Sequence, residues 1–565
     1  MEKRWVIKET DEEKVNSLHQ QLKVNPIICK LLIQRGINSY DEAKKFFRPT
    51  IADLHDPFLM KDMQIAIDRI VAAISKNERI LIFGDYDVDG TTSVALVYSF
   101  FRDIYSNLDY YIPDRYHEGY GISFKGIDYA QETNCSLIIA LDCGIKANDK
   151  VDYANARNID FIICDHHIPG DKIPEAVAVL DPHQKDCNYP YKELSGCGIG
   201  FKLVQAYALQ HRIPIEKIIP LLDLVVVSIA SDIVPIDGEN RVLAFCGLEQ
   251  LNKDPRPGLK ALIEIAGFST PLSISNIVFG LGPRINAAGR MDDANKAVRM
   301  LISDTVEKAK NGADILQEKN VDRKEIDKKI TLDAIRMLQE DENVANKVTT
   351  VLCSSEWHKG VVGIVASRLL DHYYRPTILL TESNGMLFGS ARSVKNFDIY
   401  EAIKTCSDLL EQFGGHMYAA GLSLLPENLE KFKIRFEEAV RATIKPEQLI
   451  PEIEIDSKLE LKDITPTFNN IIKQFAPFGP QNMYPVFMSS KLKNSGRSKI
   501  VGDNHLKLSI KDSNLYNVEG IAFQKGNYFN EIAKGLSFDL CYTIEENNFR
   551  DTISLQLNVR EIKIN

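Results

Sequence analysis

Largely apolar runs of four or five residues recur through the first half of the chain, separated by segments whose apolar positions have helical spacing. The runs at 80–83, 108–112, 137–141, 161–164 and 176–180 have strand length. Their alternation with amphipathic segments predicts a doubly wound α/β sheet over residues 60–240. Residues 1–50 read as short helices, with Ser39-Tyr40-Asp41-Glu42-Ala43 as a capped helix start. Residues 305–340 are charge-rich, lack proline and repeat apolar positions every three or four residues. That pattern predicts a long solvated helix bridging two lobes. A second α/β unit opens near Thr349, with helices expected at 361–372, 399–412 and 427–442 and strands at 377–380 and 385–390. After Pro446 the period shortens to two. Leu506-Lys507-Leu508-Ser509-Ile510 and Ile553-Ser554-Leu555-Gln556-Leu557 predict a small β-barrel or sandwich. The chain thus divides into a helical lead-in (1–50), an α/β lobe (51–304), a connecting helix (305–345), a second α/β lobe (346–445) and a β region (446–565).

Composition changes this picture little. At 565 residues the chain exceeds one core, and 44% hydrophobic with 26% charged content is ordinary for a globular protein. A net charge of −10 excludes a surface basic throughout, yet leaves room for a local basic site. The ten cysteines are scattered and none forms a Cys-x-x-Cys, which supports neither a zinc ribbon nor a disulfide framework. The longest apolar run, 221–230, contains Asp223 and is far short of the roughly 20 residues of a membrane span. Met1-Glu2-Lys3-Arg4-Trp5 leads into a charged stretch, and a cytoplasmic location is expected.

Chemistry concentrates where strands end. Asp85-Tyr86-Asp87-Val88-Asp89-Gly90 follows the run at 80–83, and Asp165-His166-His167 follows 161–164. Asp142 ends the run at 137–141, and Asp232, within Ser228-Ile229-Ala230-Ser231-Asp232-Ile233-Val234-Pro235, reads as a fourth strand-end acid. Three aspartates in five residues repel one another unless a cation sits among them. Any one of them alone suits a helix N-cap; four with a His-His pair do not. Asp85, Asp87, Asp142, Asp232 and His166 supply enough donors for two divalent ions. The imidazole tilts the choice towards Mn²⁺ over Mg²⁺. Arginines beside small residues form a second set: Arg115 in Arg115-Tyr116-His117-Glu118-Gly119-Tyr120-Gly121, Arg284 and Arg290 around 285–289, and Arg392 in Gly389-Ser390-Ala391-Arg392-Ser393. Guanidinium forks suit phosphate, and small neighbours let a backbone approach a ligand. His358 and His416 each sit beside glycine or within two residues of it and read as structural histidines rather than metal ligands.

Asp-Tyr-Asp-Val-Asp-Gly, Leu-Asp-Cys-Gly, Asp-His-His and Ala-Ser-Asp-Ile-Val-Pro resemble the four motifs of the DHH phosphoesterase family. Within it the chain is similar to the bacterial exonucleases specific for single strands, from about residue 25 onward. Gly282-Pro283-Arg284-Ile285-Asn286-Ala287-Ala288-Gly289-Arg290, Trp357-His358-Lys359-Gly360 and Gly414-Gly415-His416 extend the likeness. The resemblance implies a DHH parallel-sheet lobe joined by a long helix to a DHHA1 α/β lobe, with a C-terminal OB-fold β-barrel. It implies a metal-dependent 5′-to-3′ exonuclease that cuts single-stranded DNA to mononucleotides with two Mn²⁺ or Mg²⁺ ions, in recombination and repair.

Residue by residue, it makes Asp85, Asp87, His166 and Asp232 metal ligands and Asp142 the shared, catalytic carboxylate. His167 would lie by the scissile phosphate, with Asp89 and Asp165 in support, Asp89 alternatively capping a helix that starts at Thr91. Arg115, Ser390 and Arg392 would grip the 5′-phosphate, Arg284 or Arg290 the strand, and His416 a phosphate. In the barrel, Arg497 and Lys507 are expected to meet the strand before the aromatics Phe478, Tyr484 and Phe487. The long helix would set the width of a groove too narrow for duplex. One departure is Phe83-Gly84, where some members have a histidine. A helicase and a single-strand-binding protein are the expected partners of a monomer with no membrane attachment. An oligoribonuclease or cyclic-dinucleotide phosphodiesterase is the alternative enzyme, opposed by the region 446–565. A non-catalytic scaffold is opposed by the complete ligand set.

Overall fold

The computed structural model describes residues 3–549 and 552–565. It divides into two compact units. The larger holds Val6–Gly282, Ala297–Lys310 and Glu454–Asn565; the smaller holds Pro283–Lys296, Asn311–Ile453 and the segment ending at Trp5.

In the larger unit β1 (Arg79–Gly84), β2 (Leu108–Tyr111), β3 (Cys135–Leu141), β4 (Asp160–Cys164) and β5 (Ala178–Leu180) form a wholly parallel sheet of order β2-β1-β3-β4-β5. Ile82, Phe83, Ile138, Ile139, Phe161 and Ile162 are buried, as expected of strands covered on both faces. Strand order reverses between β1 and β3, so the crevice beyond their carboxyl ends is where a ligand is expected. The covering layer includes α1 (Val88–Arg102), α2 (Gly196–Gln210) and α3 (Leu222–Asp232), with α4 (Gly238–Lys253) packed on α3.

Asp232 is therefore the last residue of a helix, not a strand end. A run of apolar residues reads the same for a buried strand and a buried helix, and here the helix is enclosed on all sides. Ile233 in the left-handed region (φ 62°) stops it.

The smaller unit contains β6 (Thr350–Cys353), β7 (Thr377–Ser383), β8 (Met386–Arg392), β9 (Gln412–His416) and β10 (Ala419–Leu424), in the order β9-β10-β8-β7-β6. Helix α5 (Val306–Glu340) precedes this sheet, and α6 (Val362–Leu369) and α7 (Leu429–Thr443) belong to it. Phe432, Phe436 and Val440 recur every four residues along α7 and pack on Ile378, Leu380, Leu422 and Leu424. The helix expected at 399–412 ends at Lys404, and Gln412–His416 is a strand. The Thr405 hydroxyl donates to the Ala402 carbonyl at 2.7 Å, competing with the helical ladder. The glycines 414 and 415 then favour extended backbone over helix.

The C-terminal part of the larger unit contains β11 (Ser457–Lys458), β12 (Phe487–Asn494), β13 (Lys499–Val501), β14 (His505–Lys511), β15 (Asn517–Ala522), β16 (Phe538–Phe549) and β17 (Thr552–Ile564). Their order is β11-β12-β16-β17-β15-β14-β13, and β14 pairs back onto β12, closing a ring of strands. Leu506, Leu508 and Ile510 point inward at period two. The helices Glu12–Leu22, Pro26–Ile33 and Tyr40–Phe47 place Leu18, Leu31, Leu32 and Phe46 in this same core, against Phe475, Phe487 and Tyr542. Arg241 of α4, buried, donates to the carbonyls of Phe46, Phe475 and Ala476 and ties the α/β lobe to that core. Among the described residues no helix is long and apolar enough to cross a membrane.

Candidate metal centre

Three strands of the central sheet, β1, β3 and β4, deliver polar side chains where their apolar runs stop. Beyond β1, Asp85 is fully buried; its Oδ1 accepts from the Gly121 amide at 3.0 Å while its Oδ2, also buried, has no donor among the described residues. Asp87 is the N-cap of α1, accepting from the Gly90 amide at 3.0 Å. The helix begins at Val88, so Asp89 is not a cap but lies in the first turn. It reaches across to the start of α2, accepting from the amides of Gly196 (2.7 Å) and Cys197 (2.8 Å) and from the Ser228 hydroxyl (2.7 Å). A carboxylate at a helix N-terminus is favoured by the exposed amides and the dipole.

Asp142 follows β3 with φ 60°, a conformation uncommon for a residue with a side chain and found at constrained sites. A Cβ at Gly196 would lie 2.6 Å from that of Asp142, so only glycine lets α2 come this close. His166 Nε2 points among the acids, 3.1 Å from Asp142 Oδ1, 3.6 Å from Asp232 Oδ2 and 3.7 Å from Asp89 Oδ2. Asp165 accepts at Oδ1 from the His166 amide (2.8 Å) and from His167 Nδ1 (2.7 Å), and at Oδ2 from the Ile145 amide (2.9 Å).

Burial and mutual repulsion push the carboxyls of Asp85, Asp87, Asp142 and Asp232 above their ordinary range. The set fits a divalent cation. Four crowded carboxyls, a buried oxygen without a donor and an imidazole nitrogen facing oxygens are hard-metal donors in need of positive charge. Asp89, His166 and Asp232 form one group at ligand spacing, and Asp142, His166 and His167 another. The neighbouring His167 behaves differently. Burial, the largest influence, would lower its pKa, but the Asp165 hydrogen bond and the charges of Asp165, Asp232 and Asp89 together raise it to about 9. Burial, again the largest influence, would raise Asp165, but the bond to His167, the charges of both histidines and the Ile145 amide together draw it down to about 2.

The histidine missing before Asp85 is replaced by packing. Phe83 stacks on Tyr111 (5.4 Å), and a Cβ at Gly84 would lie 2.4 Å from Val94. Sequence reasoning missed three contributors: Tyr120, whose hydroxyl is 3.0 Å from His167 Nε2, the Gly121 amide, and the Ser195-Gly196-Cys197 helix start. The Gly-Tyr-Gly at 119–121 and the serine before a glycine-rich helix were the available signals.

Arg115 lies in the larger unit, 4.8 Å from the Tyr86 ring. In the smaller unit Arg392, Ala419 and His416 are register neighbours across three strands. Arg392 donates to the hydroxyls of Ser390 (2.9 Å) and Ser367 (3.1 Å). Arg284 donates to Gln317 at 2.8 Å and Arg290 to the Gly360 carbonyl at 3.1 Å. On the C-terminal ring Lys507 lies opposite Lys499, and Lys511 opposite Lys493, with Arg497 exposed between β12 and β13. Like charges directly opposite destabilise a sheet unless an anion joins them. Phe487 is buried, and the Tyr484 hydroxyl donates to the Ile544 carbonyl, so both serve the ring's interior.

Comparison with known proteins accords with this layout. The DHH family N-terminal domain matches residues 79–229, the DHHA1 domain 344–442 and the RecJ OB domain 455–561. The single-stranded-DNA-specific exonuclease RecJ of Bacillus subtilis (strain 168) is 36% identical over 565 residues, covering 99% of this chain and 71% of the relative. The chain belongs to the RecJ family. The RecJ of Escherichia coli (strain K12) is 32% identical, covering 95% of this chain and 96% of the relative. The RecJ of Thermus thermophilus in complex with Mn²⁺ shares the fold, with a TM-score of 0.85 at 24% identity, over 99% of this chain and 79% of that one.

Proposed function

We propose that the chain is a divalent-metal-dependent exonuclease that hydrolyses single-stranded DNA from its 5′ end to mononucleotides. One observation carries the reading: four carboxyls and His166 converge at the switch point of the parallel sheet, and a buried Asp85 oxygen there has no donor among the described residues. The RecJ relatives are named for acting on single-stranded DNA.

Asp85, Asp87, Asp142, His166 and Asp232 are the residues that would hold Mn²⁺ or Mg²⁺, Asp142 being the carboxylate that lies 3.1 Å from His166 Nε2. Two such ions supply Lewis acidity, lower the pKa of water and neutralise charge on the attacking and leaving oxygens of a phosphodiester. His167, whose Nδ1 is held by Asp165 at 2.7 Å and whose pKa the neighbouring acids raise, would stabilise charge developing on the phosphate. Asp89 holds the start of α2 against the site. Arg115 contacts the terminal phosphate in the larger unit. In the smaller unit Ser390, Arg392 and His416 offer an anion-binding row, and Arg284 or Arg290 a further contact. Lys507 and Arg497 engage the strand on the ring, where the facing lysines are relieved by phosphate. On this reading a helicase and a single-strand-binding protein present the strand to a monomer in the cytoplasm.

The test is digestion, with Mn²⁺ and with EDTA, of a 5′-phosphorylated, end-labelled single strand beside its duplex, a dinucleotide and a cyclic dinucleotide. The expected result is Mn²⁺-dependent release of mononucleotides from the single strand, lost in D142A. Equal digestion of the duplex would refute the single-strand selectivity. Preference for either dinucleotide would replace the substrate class.

A further inference from the structure

The loop from Asp114 to Ser123 carries Arg115 near one end and Tyr120-Gly121 near the other. It is braced from inside. The Glu118 carboxylate, only 4% exposed, accepts from the Asp114 amide (2.9 Å), the Tyr111 hydroxyl (3.0 Å) and the Ser123 hydroxyl (2.6 Å). Asp114 in turn accepts from the amides of Tyr116 and His117, both at 2.8 Å. Hydrogen bonds to a buried carboxylate are the strong kind, so Glu118 ties the two flanks of the loop, at Asp114 and Ser123, to each other.

At the Tyr120 end the loop meets the site twice. The Gly121 amide binds Asp85, and the Tyr120 hydroxyl lies 3.0 Å from His167 Nε2 and 3.3 Å from the Asp142 carbonyl oxygen. A phenol hydroxyl both donates and accepts, so it bridges the carbonyl and the imidazole. With Asp165 on Nδ1 at 2.7 Å, the His167 ring is then fixed at both nitrogens. At the Arg115 end the guanidinium sits 4.8 Å from the Tyr86 ring. Tyr86 meets Tyr120 edge-on (6.1 Å, 84°), and Tyr120 meets His167 edge-on (5.9 Å, 77°). Arg115, Tyr86, Tyr120 and His167 are thus in consecutive contact, bracketed by one braced loop. Tyr120 is exposed, and the partners of its hydroxyl, the Asp142 carbonyl and His167 Nε2, belong to the site.

We propose that Tyr120 is a positioning residue that, together with Tyr86, couples the seating of a terminal phosphate at Arg115 to the alignment of His167. The proposal rests on the function given above and adds to it. A 5′-phosphate then raises turnover itself and not only affinity, because its seating on Arg115 presses the Tyr86–Tyr120 pair against the imidazole.

The experiment is steady-state kinetics of the full chain with Mn²⁺ on a 5′-phosphorylated single strand and its 5′-hydroxyl counterpart. The unsubstituted chain is expected to show a higher kcat on the phosphorylated end. Y120F is expected to lower that kcat about tenfold, the equivalent of one hydrogen bond, with KM unchanged within about twofold. Its kcat ratio between the two ends falls towards one. Y86L produces the same loss of ratio with the Tyr120 hydroxyl intact, whereas R115A also raises KM for the phosphorylated end. Equal kcat at both ends in the unsubstituted chain, unchanged kcat in Y120F, or a change in KM alone overturns the coupling. If Y120F shifts the melting temperature, Y86L decides. Absence of digestion by the unsubstituted chain overturns the underlying function instead, so the two failures are distinguishable.

Discussion

Asp85 gives one carboxylate oxygen to an amide and leaves the other buried with no donor among the described residues, so its charge destabilises the fold until a cation arrives. Asparagine there keeps an acceptor for Gly121 and removes a charge. D85N is therefore expected to melt higher than the unsubstituted chain in EDTA. It should lose the Mn²⁺-induced rise, which amounts to about 2.7 kcal/mol when metal is at a hundred times its Kd. Nuclease activity should fall more than about a hundredfold, the upper end of what outer-shell changes around a metal cost. Thermal melts with EDTA and Mn²⁺, alongside activity, check all three. Asp89 predicts the opposite sign. Its carboxylate serves three buried donors, and an amide replaces one acceptor oxygen by a donor. D89N should lose about 1–3 kcal/mol with or without metal, read by denaturant melts.

Elements were legible where the period of apolar positions was unambiguous. The strands of the parallel sheet and the ring strands at 506–510 and 553–557 follow from period two or short apolar runs ended by polar residues. The α3 helix and the β9 strand were not legible, since a fully buried run has no polar face to report its period and a glycine pair carries no side chain to report one. One element contact carries a pH prediction. Glu437 of α7 accepts from the amides of Val348 and Thr349 at 3.0 Å and from the Thr349 hydroxyl at 2.5 Å, just before β6. Burial would raise its pKa, but these bonds and Arg441 outweigh burial and lower it. A depressed folded pKa gives stability that is present above the unfolded value, about 4.3, and is lost as pH falls through the folded value. E437Q should therefore cost about 1–3 kcal/mol at pH 7. Its difference from the unsubstituted chain should shrink through the acid range, measured by urea melts at several pH values.

At the scale of the whole molecule, the N-terminal helices are not packed on their own. Leu31, Leu32 and Phe46 complete the core of the C-terminal ring more than 400 residues later in the chain. L32A should cost about 2–5 kcal/mol by opening a cavity there. Hydrogen exchange should quicken in β12 and β14 as well as in the helices. Exchange confined to the helices would show that the ring does not share that core. By itself the sequence determined the alternation of elements, the acids and histidines where β1, β3 and β4 end, and the motif set that marks the family. These are local: a strand's apolar run and the polar residue that ends it are adjacent in the chain. Tertiary structure alone decided that Asp89 binds a helix 107 residues away, that Asp232 arrives on a helix, and that Tyr120 meets His167. Such contacts depend on which surfaces close packing brings together, and no periodicity along the chain encodes that choice.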